Sequence, residues 1–324
     1  EFKTFAGVRN DIKPERFNSS DLQAAINIEL DESGKPARRL GTTMIEDVYA
    51  LHSGWANDEM CLMVRNGTLQ RMFENGTFHD YGVAIAGKRV RYTRQGNDVF
   101  FSDGVQSGII SSTDGYRRWG IEVPAAPTTS IIPGDLPSGT YLITTTYVRG
   151  DGKEGGASQM LSVGLGPNSG LNFELSPATD LSIIERRIYI SEVNGELPLL
   201  WATLPVSDVL CAITAVPAER TIPVRTLNCG PAPAGQLVGT YNGRTYVAEN
   251  NYLWYSDPYE FELFRLASNF IGFTSPVRTF APVYDGIFVG SDDATVFLSG
   301  SDPKDFKVVE VAPYGTVFGT EQPV

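Results

Sequence analysis

The sequence has few of the residues that most often carry catalysis or metal binding. Its 324 residues include only two histidines, His52 and His79, and three cysteines, Cys61, Cys211 and Cys229. The cysteines are odd in number and none has C-x-x-C spacing, which disfavours a disulfide framework and favours free thiols in a reducing compartment. No two of these five residues share the close spacing of zinc ligands. We therefore expect neither a disulfide scaffold nor a metal centre.

Long apolar runs and an excess of basic charge are also missing. No apolar segment approaches the ~18 residues of a membrane-spanning helix, and the first residues lack the apolar core of a signal peptide. Acidic residues outnumber basic ones by 38 to 26, for a net charge of −12. A conventional nucleic-acid binder needs clustered Lys and Arg. The sequence thus predicts no stable membrane insertion and no stable complex with DNA or RNA.

Motifs of the common enzyme classes are absent or incomplete. No Gly-x-Ser-x-Gly occurs, and the Gly-rich segment 164–170 lacks the Lys-Ser/Thr of a phosphate-binding loop. Ser112, Asp114 and Trp119 match part of the Asp-box turn of sialidase-type propellers, but Gly115 lies one place early. No spacing singles out the two carboxylates of a glycosidase. We predict a protein that is not an enzyme and has no cofactor, and a sialidase-like hydrolase remains the third alternative below.

Two acidic turns leave a weak calcium site open as an alternative. They are Asp292-Asp293 and the segment 151–154, and ordinary turn chemistry explains both without an ion.

Turn residues are abundant, with 33 Gly and 20 Pro. Asn-Gly dipeptides such as Asn66-Gly67 and Asn75-Gly76 separate short apolar stretches, and this dipeptide suits the two-residue turn of a β-hairpin. So many chain breakers leave little room for long helices. The sequence predicts an all-β protein.

A hairpin pattern recurs along the chain. Residues 242–261 align with 285–306, and each copy ends in Ser-Asp-Pro-x-Glu/Asp-Phe, starting at Ser256 and at Ser301. Weaker copies are 86–104 and 60–76. Hairpin units recurring every ~40–50 residues are typical of β-propeller blades. The alternative is an ordinary antiparallel sandwich with similar hairpins.

The repeated Ser-Asp-Pro predicts structural turns rather than a binding site. Asp can cap a short helical turn whose first residue is Pro. The residues assigned to these turns are Ser256, Asp257, Pro258, Ser301, Asp302 and Pro303.

The repeat is interrupted between Ser102 and Ser256. About 110 extra residues, one small domain, lie between the Pro-rich seams 123–133 and 228–235. Their short alternating strands resemble fibronectin type III modules. We predict an inserted immunoglobulin/fibronectin-III-like β-sandwich over 123–234. Propeller blades over 42–122 and 235–324 then flank it.

Residues 1–41 form a separate N-terminal arm in this scheme. Ser20 and Gln23 resemble a capping box, which predicts a short helix over Asp21–Asn27. A basic cluster of Lys35, Arg38 and Arg39 follows.

The arm resembles the entry segment of the tail hub or nozzle proteins of short-tailed, podovirus-type bacteriophages. The phrase 116–127 before the insertion is also similar to those proteins. The matching positions in the arm are Gly7, Asn10, Pro14, Glu15, Arg16, Leu22, Ala25, Asn27, Asp31, Gly34, Arg38, Arg39 and Gly41.

This resemblance implies a structural virion protein of the phage tail that is assembled in the host bacterial cytoplasm. It implies a homo-oligomeric, six-fold ring that extends the DNA-ejection channel, with genomic DNA only in transit. Its implied partners are portal or adaptor proteins and tail fibre or receptor-binding proteins. We expect Arg16, Lys35, Arg38 and Arg39 to contact partners.

Two further expectations follow. Outside the arm and the insertion the chain suffices for about four blades, the low end for propellers, which favours a natural chain that continues beyond Val324. The second hypothesis for function is a module that binds host-surface glycans or a receptor through exposed aromatics of the insertion, such as Tyr141, Tyr147 or Trp201.

Overall fold

A computed structural model gives the fold. The structure describes residues 7–8, 16, 21–22, 28–30, 35–38, 54–57, 59–85, 89–111, 115–215 and 219–320. The chain divides into two compact units, Glu1–Asp47 and Val48–Val324, and each is treated by itself below.

The first unit contains two small strand pairs. Strand β1 (Gly7–Val8) pairs in parallel with β2 (Asp21–Leu22), and β3 (Ile28–Leu30) pairs antiparallel with β4 (Pro36–Arg38). The predicted helix is therefore wrong at its start, while 23–27 lie outside the described residues. The backbone of Asp21 and Leu22 bonds to a neighbouring strand, and this non-local pairing overrides the local capping signal.

The second unit begins with two antiparallel four-stranded sheets. Sheet 1 consists of β5 (Trp55–Ala56), β6 (Cys61–Arg65), β7 (Thr68–Met72) and β8 (Phe78–Ala84). Sheet 2 consists of β9 (Arg91–Gln95), β10 (Asp98–Ser102), β11 (Ser107–Ser111) and β12 (Gly115–Arg117).

Seven strands follow in two further sheets, which we call the middle sheets. The strands are β13 (Thr128–Leu136), β14 (Gly139–Arg149), β15 (Leu161–Leu165), β16 (Ser169–Glu174), β17 (Ile183–Ile190), β18 (Leu199–Pro205) and β19 (Leu210–Ile213). One sheet has the order β13-β16-β19 and the other β15-β14-β17-β18. Both sheets supply side chains to one apolar core, with Leu171 and Phe173 from the first and Ile143 and Ile188 from the second.

The chain then returns to two more antiparallel sheets. Sheet 3 consists of β20 (Leu237–Tyr241), β21 (Arg244–Glu249), β22 (Tyr252–Asp257), β23 (Glu260–Phe264) and β24 (Phe270–Gly272), which also pairs with β22. Sheet 4 consists of β25 (Val277–Val283), β26 (Gly286–Ser291), β27 (Thr295–Ser299) and β28 (Lys307–Ala312).

The predicted Asn-Gly turns are confirmed where φ is positive at both residues. Asn66 and Gly67 have φ of 52° and 79° between β6 and β7, and Asn242 and Gly243 have 42° and 72° between β20 and β21. These left-handed values suit the tight turns that join neighbouring strands of a hairpin.

Sheets 1 to 4 pack face to face in chain order. One apolar cluster joins sheet 1 to sheet 2, a second joins sheet 2 to sheet 3, and a third joins sheet 3 to sheet 4. Sheets 2 and 3 thus have both faces covered. The architecture is all-β, with antiparallel four-stranded sheets of the kind found in β-propeller blades.

The repeat copies do not all occupy the same place in their sheets. Ser102 ends the second strand of sheet 2, whereas Ser301 follows the third strand of sheet 4. The predicted alignment of copy 86–104 is therefore shifted by one strand. Successive hairpins of one sheet share the same turn and apolar pattern, so the local sequence cannot distinguish them.

The two Ser-Asp-Pro segments differ in structure. Asp302 caps a 3₁₀ turn over Pro303–Asp305, and its side chain accepts a hydrogen bond from the Lys304 backbone N–H. Ser256 and Asp257 instead end strand β22, and the Asp257 carboxylate accepts hydrogen bonds from Arg265 and Asn269. The expected cap is thus present at Asp302 and wrong at Asp257.

Candidate interaction surfaces

The N-terminal unit places its basic residues on exposed backbone. Arg16 is exposed, and so is every residue from Lys35 to Arg38. Arg39 lies outside the described residues. Among the described residues β4 pairs on one side only, with β3, so it combines basic side chains with a free strand edge of the kind that can pair with another chain.

A buried ionic cluster lies where the middle sheets meet sheets 2 and 3. Glu262 of β23 is 7% exposed. Arg149, the last residue of β14, donates from Nη1 to Oε2 at 2.8 Å and from Nη2 to Oε1 at 3.1 Å. Lys153 Nζ adds a bond to Oε1 at 2.7 Å. Arg117 of β12 lies 3.5 Å from the same oxygen and 2.5 Å from Asp98.

The charges of this cluster are closely balanced. Burial by itself raises the pKa of Glu262, but the hydrogen bonds and positive charges of Arg149 and Lys153 outweigh it and hold the pKa below its ordinary value. Burial also raises the pKa of Asp151, yet the Arg149 guanidinium lowers it further. A cluster with its carboxylates this fully paired serves as a structural joint. It is poorly suited to proton transfer.

The acidic turns considered for calcium are occupied by protein groups. Asp151 pairs with Arg149, and Glu154 accepts hydrogen bonds from Thr146, Arg187 and Tyr189. In the second turn, Asp292 pairs with Arg278, and Asp293 accepts bonds from Thr274, Ser275 and Ser291. Within the described part of the chain, no three His, Cys, Asp or Glu residues form a group that could hold a metal ion.

The aromatics proposed for glycan binding are not exposed. Tyr141 and Tyr147 are each 2% exposed, and Trp201 is half-buried against the core of the middle sheets. The Tyr141 hydroxyl donates to Pro137 O at 2.9 Å, and that of Tyr147 donates to Ser176 O at 2.7 Å. The expectation that these residues form a binding surface is wrong, because the alternation of β14 directs them into the core.

The histidine and thiol groups show no catalytic arrangement among the described residues. His79 of β8 stacks edge-on against Tyr81, with ring centroids 4.9 Å apart, and His52 lies outside the described residues. Burial raises the pKa of all three thiols, to about 11 for Cys229. Such thiols are poor nucleophiles at neutral pH.

One polar cleft of about 400 Å³ lies at the turns between sheets 2, 3 and 4. Its lining includes Gly104, Gln236, Glu249 and Arg278. Arg278 already pairs with Asp292. The cleft therefore lacks the apolar walls and convergent polar groups of a typical small-molecule site.

The outer face of sheet 4 is apolar and exposed. Phe288 and Phe297 stack there with ring centroids 4.6 Å apart, and Val309 continues the row on β28. Phe288 is 38% exposed and Val309 51%. None of these residues belongs to an apolar cluster of the described residues. Sequence reasoning missed this face, because the same pattern in sheets 2 and 3 is buried.

Comparison with known proteins adds little. No protein family and no curated protein matches the chain. Apo AztD from Citrobacter koseri is 15% identical with a TM-score of 0.23, covering 82% of this chain and 72% of that chain. Sqt1 from Saccharomyces cerevisiae is 7% identical with a TM-score of 0.22, covering 82% and 88%. Neither likeness is close enough to support an argument about function.

Membrane crossing by helices was also considered. Among the residues that the structure describes, no helix is long and apolar enough to span a bilayer.

Proposed function

We propose that the protein is a structural subunit of a short-tailed bacteriophage tail, a hub or nozzle protein whose copies form a ring around the DNA-ejection channel. The sequence resemblance in residues 1–41 and 116–127 suggests this class. It implies a six-fold ring in the virion tail, attached to portal or adaptor proteins and carrying tail fibre or receptor-binding proteins.

The observation that carries the proposal is the exposed apolar end of the sheet stack. Phe288 and Val309 lie on a flat sheet face rather than in a cleft. Exposed apolar faces of this kind commonly mark contacts with other protein surfaces. A subunit built to assemble needs such a face, whereas a monomeric enzyme gains nothing from it.

Charge supports the same function. Each copy carries a net charge of −12, and a ring of copies would multiply it. A negatively charged conduit repels DNA phosphates, so a genome in transit would slide rather than bind. The basic strand β4 offers the opposite sign for contacts with acidic partner surfaces, and Arg16, Lys35, Arg38 and Arg39 would make these contacts.

The finer assignment of the fold belongs to this proposal. We take sheets 1 to 4 as propeller blades over 42–122 and 235–324, and the middle sheets as a fibronectin-III-like domain over 123–234. Seven strands in three- and four-stranded sheets around one core support that assignment.

Association with tail components tests the function. The purified protein is mixed with portal–adaptor complexes of a short-tailed phage, and the mixture is analysed by sedimentation and negative-stain electron microscopy. We expect rings below the portal. A matched variant with Lys35 and Arg38 changed to Glu should bind less, whereas one with the exposed Lys304 and Lys307 changed to Glu should bind normally. If the unaltered protein never joins the complexes, the proposal is wrong.

A further inference from the structure

Each of sheets 1 to 4 places a cross-strand pair of large apolar side chains at equivalent positions of its second and third strands. The pairs are Val64–Leu69, Phe100–Ile109, Tyr246–Tyr255 and Phe288–Phe297. In sheets 1 to 3 the pair lies against the following sheet, and its members are at most 3% exposed.

The fourth pair has no following sheet among the described residues. Phe288 is 38% exposed although its counterpart Tyr246 is fully buried. Cross-strand register adds Ala281 on one side of the phenylalanines and Val309 on the other. Sheet 4 therefore presents the same apolar row that sheets 1 to 3 use for contact with a neighbouring sheet.

The other end of the stack also has a face without a neighbouring sheet. In sheet 1, Val64 and Leu69 face sheet 2, so the alternate residues of β6 and β7 point away from it. These include the pairs Cys61–Met72 and Met63–Gln70. Sulfur-containing side chains adapt well to an opposing surface.

Charges on the two end faces are complementary. Lys307 lies on β28 in register with Ser299 on the outer face of sheet 4. Asp80 lies on β8 in register with Gln70 on the free face of sheet 1. Each is on the fourth strand of its sheet, so a further step of the same stacking would bring opposite charges to the same side of the contact.

We propose that the outer face of sheet 4 in one copy packs against the free face of sheet 1 in a second copy, which continues the stack head to tail. The inference rests on the proposed function, because it names the surface through which copies would meet. Such a heterologous contact generates a ring when its rotation closes.

The contact is weak as a single unit. Four strands ~4.8 Å apart and six residues of ~3.4 Å each give roughly 400 Å² of planar area per face. About 800 Å² for both faces is well under the ~1,600 Å² of a standard stable interface. Isolated pairs should therefore dissociate at micromolar concentration, and ring closure, in which each copy makes two contacts, should supply the stability of the assembly.

Sedimentation velocity on the full chain, from about 1 to 200 µM, a range that spans a weak contact, tests the inference. The variants are Phe288→Lys for sheet 4 and Met63→Lys for sheet 1, and Tyr284→Lys is the control because Tyr284 is fully exposed in the turn between β25 and β26. We expect concentration-dependent association of the unaltered chain and the control, weakened at least tenfold in both face variants. Circular dichroism checks folding, and Val309→Lys and Met72→Lys replace any variant that unfolds.

Mixing the two face variants separates head-to-tail contact from other arrangements. Phe288→Lys keeps an intact sheet 1 and Met63→Lys an intact sheet 4, so the mixture should form dimers that neither variant forms alone. The inference is overturned if the unaltered chain stays monomeric, or if Phe288→Lys associates normally. An effect of Phe288→Lys without one of Met63→Lys would instead indicate a two-fold contact and also overturn it. A chain that stays monomeric yet joins portal complexes would defeat this inference and leave the proposed function intact.

Discussion

Arg149 and Glu262 form a two-point ion pair across 113 residues of sequence. The arginine ends a strand of the middle sheets, and the glutamate lies in sheet 3. Both side chains are buried, at 5% and 7% exposure. The pair therefore fixes the middle sheets against the stack at the point where the chain leaves and re-enters it.

Replacing Glu262 with Gln should destabilise the protein by about 3 kcal/mol, because the buried Arg149 guanidinium would lose its main counter-charge. Urea unfolding followed by tryptophan fluorescence measures the change. Glu260→Gln, an exposed position in the same strand, is the matched control and should change stability by no more than ~0.5 kcal/mol. Equal effects of the two substitutions would contradict the structural role of the ion pair.

The same pair predicts acid sensitivity. The pKa of Glu262 is lower in the folded protein than its ordinary value of 4.5, so the unfolded chain binds the proton more readily. The stability that this group contributes is fully present above pH 4.5 and is lost as the pH falls through the lower folded-state pKa. Melting temperatures of the unaltered protein and Glu262→Gln should differ constantly from pH 5 to 7 and converge below pH 4. A difference that grew on acidification would contradict this.

Thiol reactivity should follow burial. Cys229 is buried and its pKa is raised to about 11 by burial, so little thiolate is present at pH 8. The half-buried Cys61 and Cys211 should react with an aromatic disulfide reagent before Cys229, which should react only after unfolding in urea. Cys229→Ser should leave the fast phase of the native protein unchanged and remove one thiol from the total. Loss of the fast phase in that variant would show that Cys229 is accessible.

Gly156 should not tolerate a side chain. A Cβ at this position would lie 1.9 Å from the carbonyl oxygen of Cys229, a backbone atom that cannot rotate away. We expect Gly156→Ala to destabilise the protein by about 3 kcal/mol or more. Gly166→Ala, where a Cβ meets nothing within 4 Å, is the control, and thermal unfolding compares them. A Gly156→Ala protein as stable as the control would mean that the two segments are farther apart.

Local features of the chain were predictable because their causes lie within a few residues. The turns at Asn66-Gly67 and Asn242-Gly243 follow from the tolerance of Asn and Gly for positive φ. The cap at Asp302 follows from an Asp placed before Pro. The predicted helix from Asp21 failed although its signal is also local, because Asp21 and Leu22 pair with another strand.

The sequence by itself determined that the protein is all-β, where its hairpins turn, and that the repeat is interrupted after Ser102, since turn chemistry and alternation act over a few residues. Only the tertiary structure decided which face of each hairpin is covered. It buried Tyr141 and Tyr147, joined Arg149 to Glu262, and left Phe288 exposed while its counterpart Tyr246 is covered. The physical reason is that burial depends on which sheet lies opposite, and this partner is contributed by residues far away in the chain.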